Sequence, residues 1–98
     1  MSWRIEFTET AADMFYALPQ KVQKVLLARI KKLVQDPELQ GKALSKELKG
    51  FRSIRSMRHR IIFKMVEDEK KVILVAIGLR KGKDRDDIYE ILKRLLQV

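Results

Sequence analysis

The N-terminal half of the chain predicts one strand followed by two helices. The strand is marked by apolar residues that alternate with polar ones: Trp3, Ile5 and Phe7. Thr8 can act as the N-cap of a short helix that begins at Ala11 and is stopped by Pro19. A second helix opens near Pro19 and ends at Asp36, and its apolar positions recur at helical spacing: Val22, Val25, Leu26, Ile30, Leu33 and Val34. The two helices are predicted to form a hairpin that folds back on the strand.

The C-terminal half predicts a run of strands and a closing helix. Residues 38–50 are typical of a loop with one helical turn. Three segments rich in β-branched and large apolar residues then predict strands: Phe51–Ser56, His59–Val66 and Lys71–Ile77. The closing helix has an apolar face and an acidic cap, Asp84, Asp86 or Asp87; the face consists of Ile88, Ile91, Leu92, Leu95 and Leu96. We expect this helix to complete the core.

This order of elements indicates an α+β fold in a single domain that spans residues 1–98. Grouped helices and grouped strands favour a helical hairpin packed on a four-stranded antiparallel sheet, with a C-terminal helix. Alternation along the central strand divides its side chains into two sets. The set predicted to face the core is Ile61, Phe63 and Met65. The set predicted to face the other way, and to form a basic concavity, is Arg58, Arg60, Ile62 and Lys64.

Positive charge is concentrated in the middle of the chain. The sequence has 22 basic and 13 acidic residues, a formal net charge of +9, and residues 42–64 hold 8 of the basic and 1 of the acidic residues. A field concentrated in this way attracts polyanions and makes their binding steeply dependent on salt. Solubility alone would be served by charge spread along the chain, so the predicted partner is a polyanion.

Cysteine and histidine usage narrows the chemistry. With no cysteine and one histidine, the sequence offers neither disulfides nor thiolate chemistry nor a His/Cys metal site, and no cofactor is expected. No apolar run reaches the roughly 18 residues that a membrane-spanning helix needs, and the N-terminus lacks a basic segment followed by an apolar one. We expect a cytoplasmic protein without membrane contact.

Two stretches resemble the RelE/ParE toxin superfamily: LKGFRSIRSMRHRIIF, Leu48–Phe63, and VILVAIGLRKGKDRDDIY, Val72–Tyr89. A Leu-x-Gly-aromatic step, an Arg-rich strand, an Arg-Ile-Ile-Phe strand and an Arg-containing turn follow one another in the family's order. The resemblance implies a toxin that a co-expressed acidic antitoxin holds inactive in a joint oligomer. In the RelE branch such a toxin enters the ribosomal decoding site and cuts messenger RNA, whereas the ParE branch poisons DNA gyrase.

The resemblance also implies roles for individual arginines. Arg60 matches the arginine of the Arg-Ile-Ile-Phe strand, and Arg80 matches the one that follows the last strand. Both are candidates to stabilise charge on the phosphorane, because a planar guanidinium can bind two phosphate oxygens at once. Arg52 and Arg55 match the basic positions of the preceding strand, and Tyr89 matches the late tyrosine more loosely.

Two departures from the family and the missing general base bear on catalysis. Met57 stands where many relatives have glycine, and Leu79 where many have histidine. His59 has a suitable intrinsic pKa, but strand alternation turns it away from Arg60, so we expect it to be structural. The remaining candidates for the base are Lys46 and Lys49, because nearby positive charge favours a neutral amine.

The predicted catalytic set is Arg60, Arg80, Arg55, Lys49 and Tyr89, and the predicted RNA-binding set is Lys46, Arg52, Arg58 and Lys64. Tyr89 either stacks on a base or packs in the fold.

The leading functional hypothesis is a ribosome-dependent endoribonuclease that acts without metal on messenger RNA. The alternatives are a DNA gyrase inhibitor without nuclease activity and an RNA-binding relic without activity. An acidic antitoxin is the expected partner, and the surface of the C-terminal helix is an alternative place for it to dock.

Overall fold

A computed structural model describes residues 2–97. Its elements in chain order are β1 (Arg4–Phe7), α1 (Glu9–Tyr16), α2 (Gln20–Lys32), α3 (Pro37–Gln40), β2 (Lys42–Ala43), β3 (Arg52–Ser56), β4 (His59–Val66), β5 (Lys71–Leu79) and α4 (Ile88–Leu95). Short 3₁₀ turns at Lys46–Leu48 and Glu67–Glu69 lie before β3 and β5. The predicted α+β class, helical hairpin and closing helix are confirmed. Within the described range no helix is long and apolar enough to cross a membrane.

Local hydrogen bonds explain where the helical hairpin begins and turns. The Oγ1 atom of Thr8 accepts from the backbone N–H of Ala11 at 3.1 Å, so Thr8 is the N-cap and α1 starts at the next residue. Between the helices, the side-chain amide of Gln23 donates to the carbonyl of Leu18 at 2.8 Å and to that of Tyr16 at 3.3 Å. These bonds satisfy carbonyls at the end of α1 and hold α2 beside it.

The sheet corrects the predicted four antiparallel strands in two respects. It has five strands in the order β1-β5-β4-β3-β2, and β1 runs parallel to β5, with Ile5 opposite Val72. The other pairs are antiparallel. Alternation in sequence shows which face a residue occupies and carries no information on strand neighbours or direction. The fifth strand, Lys42–Ala43, is two residues long and lay within the predicted loop because so short a segment has no period.

The main core lies between the helical hairpin and one face of the sheet. The helices contribute Ala11, Phe15, Leu26, Ile30 and Leu33, and the sheet contributes Ile54, Ile61, Phe63, Val72, Leu74 and Ile77. Met65 packs at its margin, so the three β4 residues predicted to face the core do so. A bulge at Ile62/Phe63 sets Val75 outside the regular pairing of β4 with β5.

The opposite face of the sheet corrects the predicted basic concavity. Its middle is covered by α4, and a second apolar cluster forms there from Leu48, Ile62, Ala76, Ile88 and Leu92. The interpretation that α4 completes the core is confirmed, although Leu95 and Leu96 stay exposed. Arg58 lies in the turn before β4 and not on the strand, because β4 starts at His59. Basic side chains are therefore displaced from the centre of this face to its margin.

Substitution of Gly41 by alanine is expected to destabilise the fold. A Cβ atom at Gly41 would lie 2.6 Å from Cζ of Phe63, whose ring is fully buried and has little room to shift. We expect Gly41→Ala to lower the free energy of unfolding by about 1–3 kcal/mol, measured by chemical denaturation. Gly41 itself has an extended backbone, with a φ of −101°, so the loss would come from the contact with Phe63 and not from backbone strain. An unchanged stability for Gly41→Ala would show that the ring of Phe63 moves aside freely.

Candidate functional site

Two adjoining cavities lie beside the β2–β3 edge of the sheet. One, of about 510 Å³, is lined by five basic side chains and no acidic one: Arg29, Lys42, Arg55, Arg60 and Arg80. The other, of about 760 Å³, opens between the 3₁₀ turn at Lys46–Leu48 and α4. Leu44, Arg80 and Tyr89 line both cavities, which together form one groove, called here the basic groove.

Arg55 and Arg60 face each other across neighbouring strands in the basic groove. They are directly paired in the β3–β4 register, which places their Cβ atoms about 5 Å apart on the same face. The Arg60 guanidinium donates to the carbonyl of His59 at 3.2 Å, and Arg55 donates to that of Met57 at 3.4 Å. Neither arginine forms a salt bridge with any residue between 2 and 97. Like charges opposed in this way repel, so the pair suits an anionic ligand.

Arg80 is held in place from two sides. Its Nη1 lies 2.6 Å from Oδ1 of Asp87, and its guanidinium stacks over the Tyr89 ring with 5.0 Å to the ring centre. Nη1 also donates to the carbonyl of Gly82 at 3.0 Å. Arg80 therefore pairs with an acidic residue of the loop that follows β5. The side chain nevertheless remains partly exposed, and it faces both parts of the groove.

Asp87 organises the start of α4. Its carboxylate is fully buried and accepts from the backbone N–H groups of Lys81 and Tyr89 as well as from Arg80. Burial by itself would raise the pKa of Asp87, but the hydrogen bonds from Arg80, Lys81 and Tyr89 outweigh it and hold the pKa below its ordinary value. One carboxylate thus caps the helix and fixes the groove arginine.

Tyr89 is both a packing residue and part of the groove wall. Its hydroxyl lies 3.0 Å from Oγ of Ser53 on β3, and its ring carries the Arg80 guanidinium on one face. The ring also packs against the second apolar cluster. Tyr89 therefore packs in the fold, and its stacking on a base stays a prediction.

The remaining predicted residues are spread over the surface. Lys46 lines the larger cavity, whereas Lys49 is exposed beyond the turn and lines neither cavity. Arg58 is exposed in the β3–β4 turn, and Lys64 lies in a separate shallow groove beside the end of α4. Arg52 donates to the carbonyls of Glu38 at 2.6 Å and Gly41 at 2.8 Å. Arg52 thus ties α3 to the sheet, and its role in RNA binding stays a prediction.

His59 lies outside the groove lining. Its side chain is buried, and its Nδ1 atom has no hydrogen-bond partner among residues 2–97. Burial and, to a smaller extent, the charge of Arg58 lower the pKa of His59. The unfolded chain therefore binds this proton more readily, so the contribution of His59 to stability is lost as pH falls below about 6.5. A neutral, buried imidazole agrees with the structural role expected for it.

The groove also contains residues that were not predicted from the sequence, among them Arg29, Lys42 and Ser53. Lys42 belongs to the basic segment, but nothing in the pattern separated it from its neighbours. Arg29 comes from α2, far from that segment in sequence, and it reaches the groove through a 2.7 Å hydrogen bond to Oε1 of Gln40. Only the tertiary fold brings α2 to the edge of the sheet, so the periodicity of the sequence could not predict that Arg29 lines the groove.

The helical hairpin on a mixed sheet matches the fold of RelE-like toxins. The chain superimposes on the RelBE2 toxin–antitoxin complex of Mycobacterium tuberculosis with a TM-score of 0.77 at 23% identity, covering 82% of this chain and 100% of that chain. The isolated E. coli RelE toxin gives 0.73 at 15% identity, with 96% and 99% covered. A YoeB/ParE toxin from Agrobacterium tumefaciens gives 0.68 at 12% identity, with 80% and 99% covered. At these identities the likeness shows the fold.

The family follows from the sequence. The family model for the ParE toxin of the type II toxin–antitoxin system, parDE, matches residues 5–84, and the chain belongs to this family. The predicted resemblance to the RelE/ParE superfamily is thereby confirmed. No curated protein sequence matches the chain.

Proposed function

We propose that this toxin acts in the cytoplasm as a ribosome-dependent endoribonuclease that cuts messenger RNA without metal and so inhibits translation. The observation that carries the proposal is the opposed pair of Arg55 and Arg60 beside the fixed guanidinium of Arg80. A phosphate placed between these groups would replace repulsion by charge-assisted hydrogen bonds. The neighbouring ring of Tyr89 offers a surface for a flanking base.

The groove suits cleavage by the RNA's own 2′-hydroxyl. The 2′-hydroxyl gives its proton to a base and its oxygen attacks the adjacent phosphorus. The bond from phosphorus to the 5′ oxygen breaks, and the leaving oxygen takes a proton from water. Arg60 and Arg80 would stabilise the charge that builds up on the phosphorane, and Arg55 would position the phosphate. Of the two lysines proposed to accept the 2′ proton, Lys46 lines the groove and Lys49 does not, so Lys46 is better placed.

Induced expression of the toxin alone is expected to stop translation first. Because the proposed target of the basic groove is messenger RNA, translation should stop before DNA synthesis does. Incorporation of labelled amino acids should therefore fall within minutes, before that of labelled thymidine. Pulse labelling of one culture with both precursors makes the measurement. Cleaved messengers should accumulate over the same interval, which primer extension on an abundant transcript can detect.

Inhibition of DNA gyrase is the second candidate, because the matching family is that of the ParE toxin. In that case thymidine incorporation would stop first and gyrase-linked DNA breaks would appear, with messengers intact. The order in which the two labels are lost therefore separates the two functions.

We further propose that an acidic antitoxin covers the basic groove in a joint oligomer. The similar solved structures include toxin–antitoxin complexes from M. tuberculosis and E. coli. A domain with a net charge of +9 would bind RNA indiscriminately without such a cover. A tagged toxin expressed from its own operon should co-purify with a small acidic protein at moderate salt, and co-expression of that protein should restore amino-acid incorporation. Recovery of the toxin alone would contradict this proposal.

A further inference from the structure

A row of lysines on α2 lies outside the basic groove. Its members are Lys21, Lys24, Lys31 and Lys32, all exposed. At 100° per residue they fall within an arc of about 100° on the helix surface, and they extend over about 16 Å along the axis. No acidic residue occurs between Asp13 and Asp36. Within residues 2–97 no lysine of the row forms a salt bridge.

The stability of α2 does not explain this lysine row. Lys21 lies in the first turn, where the helix dipole favours acidic residues, and that turn contains none. Lys21 and Lys24 are three residues apart, a spacing at which like charges repel. Lys31 and Lys32 do suit the C-terminal end of the helix. Two of the four lysines, Lys21 and Lys24, are therefore unfavourable for the stability of α2.

The lysine row continues into the basic groove. Arg29 lies on the flank of α2 next to the row and lines the groove. Gln40 joins the two surfaces, because its side chain accepts from Arg29 and donates to the carbonyl of Lys32 at 2.6 Å. At the other end of the row, the Tyr16 side chain is 73% exposed and shares a shallow cavity with Lys24. Lysines beside an exposed aromatic ring are typical of surfaces that bind RNA.

We propose that the lysine row is a second RNA contact, which binds the phosphate backbone of ribosomal RNA while the basic groove holds the strand to be cut. This inference rests on the proposed ribosome-dependent function. A protein partner fits the row less well, because protein interfaces are depleted in lysine and centre on apolar side chains. The four lysines surround one small residue, Ala28, and the exposed apolar residues Val25 and Leu27 lie on opposite flanks of the row and not at its centre.

The test compares two variants of equal charge. Lys21→Gln/Lys24→Gln/Lys31→Gln removes three charges from the row, and Arg4→Gln/Lys70→Gln/Arg94→Gln removes three from surfaces outside the row and groove. Binding to purified small ribosomal subunits is measured over a range of potassium concentrations. We expect the row variant to lose roughly tenfold or more in affinity and its log–log salt slope to fall by about 2 to 3, because each phosphate contact contributes about 0.7–0.9. The control variant should keep nearly the slope of the unmodified toxin.

Three results would overturn the inference, and they differ from one another. Equal affinity and slope for the row variant and the unmodified toxin would reject the lysine row and leave the proposed function standing. Equal losses of affinity in the two variants would show that ribosome binding depends on net charge and not on the position of the lysines. Unchanged ribosome binding together with weaker binding of the antitoxin would assign the row to the protein partner. Failure of the unmodified toxin to bind small subunits at all would instead reject the proposed function.

Discussion

Asp87→Ala is expected to lower the free energy of unfolding by about 2–4 kcal/mol. The buried carboxylate accepts from the N–H groups of Lys81 and Tyr89 and pairs with Arg80. Its removal costs the helix cap, about 1 kcal/mol, and leaves two backbone donors without their partner. Chemical denaturation followed by circular dichroism makes the measurement. Messenger cleavage should also fall, because the Arg80 guanidinium loses the contact that positions it in the groove.

Asp84→Ala is the matched control for Asp87→Ala. Asp84 is exposed in the same loop, and among residues 2–97 its carboxylate accepts only from the backbone N–H of Asp86, at 2.8 Å. Its replacement should change stability by less than about 0.5 kcal/mol. Acid titration adds a second control, since the folded pKa of Asp87 is lowered and its contribution to stability is present above about 3.8 and lost as pH falls further. Equal stability losses in the two variants would contradict the capping role of Asp87.

The periodicity of the sequence predicted the elements better than their arrangement. The alternation at Ile61 and Phe63 identified the face of β4 that packs on the helices, because a pleated strand allows only two faces. The same alternation does not predict that β1 pairs in parallel with β5, because this pairing depends on the long connection between the two strands. It also missed the coverage of Ile62 by α4, because two elements distant in sequence meet there.

The groove was predictable where its residues share one hairpin. Arg55 and Arg60 lie on adjacent strands joined by two residues, so their proximity follows from strand pairing alone. The fixed position of Arg80 depends on which of three nearby acidic residues is buried, and composition does not distinguish Asp87 from the others. The contacts of Arg52 were not predictable. Its guanidinium donates to the carbonyls of Glu38 and Gly41, and nothing in the sequence around Arg52 indicates these partners.

Arg60→Ala is expected to reduce messenger cleavage by about 100-fold or more on programmed ribosomes. Loss of one charge-stabilising donor in a preorganised site typically has an effect of this size. The melting temperature should hardly change, since Arg60 forms no salt bridge within residues 2–97 and its removal relieves repulsion from Arg55. Single-turnover cleavage, with folding checked by circular dichroism, makes the measurement.

Two control variants separate the chemistry of Arg60 from its charge. Arg85→Ala removes the same charge from an exposed loop outside the groove and should retain most of the cleavage rate. Arg60→Lys keeps the charge but loses the planar fork, so it should bind ribosomes almost normally and cleave much more slowly. Full cleavage by Arg60→Lys would show that Arg60 serves only in electrostatic docking. The stabilisation of the phosphorane would then have to come from Arg55 or Arg80, whose guanidinium groups line the same cavity.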